Sequence, residues 1–262
     1  MNRFLQKLRT VLSVDPRWAF RHLKNPSVRS FYWARLTRRT YYDADIESFP
    51  MRFAFFSHVQ HKIARELSNR NLWEPSLLTL WKEKAKSASV IYDVGGFNGL
   101  FGMVAAKANP HAWVVIFEPD PFNVRHVREN VKINNIQNCS VEEIALTDHS
   151  GTVFFSAKGK LGSHISRHNN GVQVRAKTLD SFPPADLIKI DVEGVEAKVI
   201  AGGKHSLEKK PVIFLEVHDQ LTESEREEMW GTLKGNGYAW RQIGGSEEGN
   251  PHFILEQEGA KL

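Results

Sequence analysis

Asp93, Val94, Gly95, Gly96, Phe97, Asn98 and Gly99 follow a short apolar run and combine one acid, one amide and three glycines. Glycines at this density let a ligand approach the main chain, because they adopt positive φ and carry no Cβ. An acid beside them can address a cationic group, directly or through water. A dinucleotide fingerprint GxGxxG starting at Gly95 requires glycine at 97, where Phe97 stands, and one starting at Gly96 requires it at 98, where Asn98 stands. A pyrophosphate is therefore not the expected ligand. A second apolar run ends in Glu118, where a carboxylate can accept both hydroxyls of a ribose.

An acid, two spaced glycines and a ribose-binding carboxylate fit S-adenosylmethionine, whose methionine portion carries an ammonium. Downstream, two further apolar runs end in acids. The run from Asp186 to Glu196 buries Leu187, Ile188 and Ile190 and delivers Asp191 to a strand end. Asp191 can hold the cofactor, orient an acceptor hydroxyl or bind a divalent metal with Glu216. Glu193 and Glu196 favour the N-terminus of the following helix. His218 stands two residues beyond Glu216, so both side chains share one face. His218 is the candidate general base, and His164 is its rival.

The elements that must position these groups alternate. Glu74 and Pro75 open a helix carrying Leu77, Leu78 and Trp81. Strands are expected at 90–94, 113–117, 141–146, 187–192 and 212–217, with helices after the first, second, fourth and fifth. Asp120 and Pro121 have the pattern of a helix start, and Thr222 with Glu225 that of a capping box. Segments 152–156 and 172–176 predict a hairpin insertion, and 237–243 with 252–256 a closing hairpin. Such alternation predicts a doubly wound, mostly parallel α/β sheet that binds ligands beyond the carboxyl ends of its strands.

Charge is unevenly spread. Residues 1–40 carry ten Lys or Arg against the single acid Asp15, whereas the 262-residue chain has a formal net charge of only +5. The remainder is mildly acidic. Phe4, Leu5, Leu8, Val11 and Leu12 form one helical face in this arm, which suits an anionic membrane surface, a polyanion or docking on the body. The expected organisation is a basic, aromatic-rich helical extension over 1–87 and a cofactor-binding domain over 88–262. One cysteine, Cys139, excludes an internal disulfide framework and points to a reducing, cytoplasmic setting, peripheral at a membrane where the arm engages one.

Segments 93–99, 117–119 and 145–151, and above all Asp186 to Glu196, resemble the FkbM family of S-adenosylmethionine-dependent methyltransferases. The likeness covers about residues 50–245. It implies a class I methyltransferase sheet, Rossmann-like, and methyl transfer to oxygen, commonly a hydroxyl of a sugar, a glycan or a natural product. It further implies cofactor contacts from Glu74, Asp93, Gly95, Gly96, Asn98, Gly99, Glu118, Asp191 and, near the adenine, Glu143 and Ala145. The family turn usually reads Asp, Val, Gly, Ala, Asn, any residue, Gly; here Gly96 replaces the alanine and Phe97 the asparagine. Two other functions fit parts of the chain: an RNA methyltransferase that uses the basic arm, and a cofactor-binding protein without turnover. Against a base-flipping amino methyltransferase, the loop after the fourth strand reads Asp191, Val192, Glu193, Gly194 and not an acid or amide followed by two prolines and an aromatic.

Overall fold

The structure is a computed structural model that describes residues 40–55, 75–155, 165, 171–244 and 250–259. Its centre is a seven-stranded sheet. Strands β3 (Val90–Val94), β4 (Trp113–Phe117), β5 (Cys139–Glu142), β9 (Leu187–Ile190) and β10 (Val212–Glu216) are parallel, while β11 (Tyr238–Gly244) and β12 (His252–Gln257) close one edge antiparallel. The order β11-β12-β10-β9-β3-β4-β5 reverses direction between β3 and β9. A crevice beyond the strand ends is expected at such a reversal.

Helices α1 (Pro75–Ala85), α2 (Leu100–Ala108) and α3 (Pro121–Ile133) lie on one face. On the other lie α4 (Glu196–Ala201), α5 (Lys204–Glu208) and α6 (Glu223–Gly235). The central strands are buried on both faces, which explains why they read as unbroken apolar runs. The helix starts behave as their sequences dictate. The Asp120 side chain accepts from Phe122 N with Pro121 in the first turn, and Thr222 with Glu225 forms both bonds of a capping box.

Two stretches differ from the sequence reading. Within the segment read as a helical extension, β1 (Thr40–Ile46) and β2 (Phe49–Phe55) form an antiparallel hairpin, turned by Glu47 and Ser48 at positive φ. Ala44, Ile46, Met51 and Phe53 enter the same core as α1 and α2. Asn134 both donates to Arg52 O and accepts from Arg52 N, and Asn130 accepts from Ala54 N, so α3 takes up main-chain groups the hairpin leaves unpaired. Helix α1 is equally integral. Trp81 is fully buried, packs edge-on against Phe101 and Phe214 and donates to Phe101 O, so a boundary at residue 88 would divide one packed layer.

The expected third strand is also divided. After β5 the chain leaves the main sheet, and β6 (Ala145–Leu146) pairs with β8 (Val172–Lys177), which pairs antiparallel with β7 (Gly151–Phe155). The predicted hairpin insertion is therefore part of a small three-stranded sheet whose buried face includes Val153, Phe155, Val174 and Ala176. Residues 1–39, which hold most of the basic arm, lie outside the described residues, as do Glu74 and His164.

Candidate active site

A crevice of about 650 Å³, counting the part open to solvent, lies beyond the carboxyl ends of β3, β4 and β9. Gly95, Glu118, Ala145 and Asp191, from four of the predicted contact segments, line it together. Its apolar wall comes from Phe117, Ile144, Leu146, Phe155 and Ile165. An apolar slot with a few convergent polar groups is the usual form of a small-molecule site.

The glycine turn is built by contact. Gly95 has φ of +85°, and a Cβ there would fall 1.8 Å from the main-chain oxygen of Asp191. A Cβ on Gly96 would meet Ile116 at 2.1 Å, and Gly99, at φ +81°, backs on Val127. Phe97 adopts φ of +46°, a left-handed conformation that asparagine takes more readily than phenylalanine. Gly96 and Gly99 thus serve packing behind the turn, whereas Gly95 lies on its ligand side.

Asp93 does not line the crevice. It is 1% exposed, its Oδ2 accepts from Gly102 N, and Oδ1 has no hydrogen-bond partner. Burial pushes its carboxyl upward, against the nearby Lys189 charge and the Gly102 bond. Its visible work is to tie the start of α2 to β3. Asn98 similarly turns inward, accepting from Leu100 N with its side chain while its carbonyl takes a bond from Asn130. Glu143 is partly exposed, 3.6 Å from Arg128, and is not among the residues that line the crevice.

Glu118 is oriented by the main chain. Its Oε2 accepts from Phe97 N at 2.8 Å and its Oε1 from Asp120 N at 2.8 Å. Asn123 Nδ2 also donates to Oε1, at 3.5 Å, which leaves Oε2 with acceptor capacity for a further hydrogen bond. Burial pushes the carboxyl up to about 8, opposed by these two N–H groups.

Across the crevice, Asp191 belongs to a dense ionic group. Lys189 Nζ donates to Asp191 Oδ2 at 2.7 Å and stands 4.7 Å from the Phe101 ring centroid. His218 is 2% exposed; its Nδ1 lies 2.7 Å from Glu196 Oε1, and its Nε2 lies 3.5 Å from Glu193 and Glu216 and 3.8 Å from Asp191. Burial works to lower the imidazole pKa, but Glu196, then Asp191 and Glu216, overcome it and hold the ring at about 9. Burial would likewise raise Glu216, yet His252, Lys189 and His218 bring it down to about 2. Asp191 is raised by burial, with Lys189 opposing.

Four members of this group, Lys189, Glu193, Glu196 and His252, were not assigned a site role from sequence. Glu196 reads locally as a helix N-terminal charge, but it is fully buried and bonds both His218 and Gly194 N. The signal that exposes Lys189 is a lysine inside an apolar four-residue strand, which must find a counter-charge.

Known proteins share this arrangement of sequence. Residues 93–239 match the FkbM methyltransferase domain. The chain is 29% identical over 161 residues to 2-O-methyltransferase NoeI of Sinorhizobium fredii, an alignment covering 52% of this chain and 65% of that protein. It is 24% identical to hexuronic acid methyltransferase AglP of Haloferax volcanii, over 67% of this chain and 73% of that one. Among solved structures, TYW2 of M. jannaschii in complex with AdoMet overlaps 84% of this chain and 85% of its own, at 15% identity and a TM-score of 0.45. With more than half its length matched, from the end of β3 to the start of β11, the chain belongs to the FkbM methyltransferase family.

Proposed function

We propose that this chain is an S-adenosylmethionine-dependent O-methyltransferase whose acceptor is a hydroxyl of a sugar, a glycan or a sugar-bearing natural product. The observation that carries the reading is the polarity of one crevice. Glu118 stands at one end with acceptor capacity to spare, and Asp191 with its ionic group stands at the other. The name of NoeI supports transfer to oxygen, and that of AglP supports a sugar acceptor.

The residues fit the cofactor. Gly95 lines the crevice and lets the Asp191 loop close beside it, Glu118 can accept from a ribose hydroxyl, and Ile144, Ala145 and Leu146 offer an apolar bed for a purine. When bound, S-adenosylmethionine supplies an electrophilic methyl group on a sulfonium, whose leaving group is a neutral thioether. The chain's own task is then to hold an acceptor oxygen in line, and positioning of this kind is worth about 7–11 kcal/mol. Asp191, 28% exposed at the crevice wall, is the side chain that reaches the acceptor. Against burial, Glu196, then Asp191 and Glu216, hold the His218 ring at about 9, so its imidazolium orients the carboxylates around it.

An acidic lining also disfavours a phosphate backbone, which weighs against the RNA alternative. Transfer of labelled methyl groups into cell extracts, followed by identification of the product, tests the proposal. A labelled glycan or glycoside is expected. Label in RNA would overturn the acceptor class, and cofactor binding without transfer would leave a binding protein.

A further inference from the structure

His218 Nε2 points into a nest of carboxylates and pairs with three of them at long range. The nearest oxygens of Glu193, Glu216 and Asp191 stand 3.5–3.8 Å away, beyond the 2.7–3.2 Å of an ordinary bond. The side chain is 3% exposed. One ligand atom each from Asp191, Glu216 and His218 lie within 4.8 Å of one another. Ligands about 2.1 Å from a shared ion and about 90–110° apart are separated by roughly 3.0–3.4 Å. The His218 separations of 3.5 and 3.8 Å need only a few tenths of an ångström of closure, and a side-chain rotation of about 1–2 Å brings all three onto one ion.

The surroundings fit an ion as well. Nδ1 of His218 is held by Glu196, which is buried completely and also takes Gly194 N. A carboxylate that fixes the far nitrogen of an imidazole is the regular second support of a histidine ligand. Asp191 has Oδ2 bonded to Lys189, which leaves Oδ1 facing His218. Glu216 is steadied by Asn250, 3.0 Å away, and by His252, 3.5 Å away. Four carboxylates, Asp191, Glu193, Glu196 and Glu216, face Lys189, His218 and His252.

We infer that Asp191, Glu216 and His218 form a binding site for one divalent cation of the manganese or zinc type, at the acceptor end of the crevice. An imidazole with two carboxylates suits such ions. The ion keeps open positions towards the crevice, because Asp191 lines it. There it can take an acceptor hydroxyl, lowering its pKa and holding it in line. On transfer the O–CH₃ bond forms, the S–CH₃ bond breaks with its electron pair left on sulfur, and the hydroxyl proton passes to water. That last role rests on the methyltransferase reading; the binding itself does not.

Full-length protein stripped with chelator and titrated with Mn²⁺ tests the site, read by calorimetry and electron paramagnetic resonance. One saturable ion per chain is expected, with electron spin-echo modulation from a directly bound imidazole nitrogen. His218→Ala should remove that modulation, and His218→Ala and Asp191→Asn should each weaken binding at least tenfold. Glu196→Gln, at a positioning residue, should keep the nitrogen signal while weakening binding. No saturable Mn²⁺ binding, or binding without nitrogen coupling in the unsubstituted protein, would overturn the site, even if the His218 variant fails to fold. Calorimetry with S-adenosylmethionine on the same stripped sample separates the two readings: its failure sinks the methyltransferase proposal and leaves the ion site standing.

Discussion

The main-chain oxygen of Asp191 occupies the space where a side chain on Gly95 would begin, 1.8 Å from an ideal Cβ. The turn after β3 and the loop after β9 therefore press together at the point where the sheet reverses direction. Gly95→Ala cannot be absorbed by a rotamer change, since the obstacle is backbone and φ is +85°. A loss of about 2–4 kcal/mol in stability is expected, from left-handed strain plus displacement of the loop. Chemical denaturation should report it, and cofactor affinity measured well below the denaturation midpoint should fall as well. A variant as stable as the parent would mean that the two loops are not so closely joined.

Glu118 makes cofactor affinity depend on pH. Burial raises its carboxyl from 4.5 to about 8, so the folded, ligand-free protein holds a proton there at neutral pH. An ionised carboxylate is the better acceptor for a ribose hydroxyl. Affinity for S-adenosylmethionine should accordingly rise between about pH 6 and pH 8 and then level, with a proton released on binding. Glu118→Gln should bind more weakly and lose this slope. The same group acts on stability with the opposite sense: its contribution is full below pH 4.5 and is lost as pH rises through 8, because the unfolded chain gives up the proton first. Thermal melts of Glu118→Gln should therefore lose part of the alkaline destabilisation.

Asn130 joins the hairpin to the cofactor turn. Its Oδ1 accepts from Ala54 N and its Nδ2 donates to Asn98 O, each near 2.8–2.9 Å, with the residue 1% exposed. Asn130→Ala strands a main-chain donor on one side and an acceptor on the other, at a cost of about 2–4 kcal/mol. Asn130→Asp keeps the Ala54 bond but presents a carboxylate to the Asn98 carbonyl. It should retain a protected Ala54 amide in hydrogen exchange while weakening cofactor binding.

Much of this layout is legible in the sequence because the signals are local. Buried parallel strands write themselves as apolar runs, and Asp120-Pro121 and Thr222-Glu225 mark helix starts within four residues. Their ends then bring Asp191, Glu216 and His218 together as expected. What stays hidden depends on partners far along the chain. The role of Glu196 is set by His218, 22 residues away, and the hairpin at 40–55 finds its core on helices that begin at residue 75 and its α3 anchors beyond residue 120. Asp93 illustrates the reverse case. An acid at a strand end beside glycines suggests a ligand contact, yet the first amides of α2 compete for it and hold it inside.

The basic arm supplies the last prediction, from sequence and charge. Residues 1–40 carry ten cationic side chains and one acid, along with an apolar face from Phe4 to Leu12. Among the described residues no helix is long and apolar enough to cross a membrane. Each basic residue close to an anionic bilayer contributes about 1 kcal/mol, and the apolar face can insert at the interface. A chain lacking residues 1–39 retains the hairpin and everything that lines the crevice. It should fold and bind S-adenosylmethionine but no longer sediment with phosphatidylserine vesicles at low salt, whereas the full chain should sediment and be released as salt is raised. Failure of the full chain to sediment would remove the membrane role. An unfolded truncation would instead assign the arm to packing on the body.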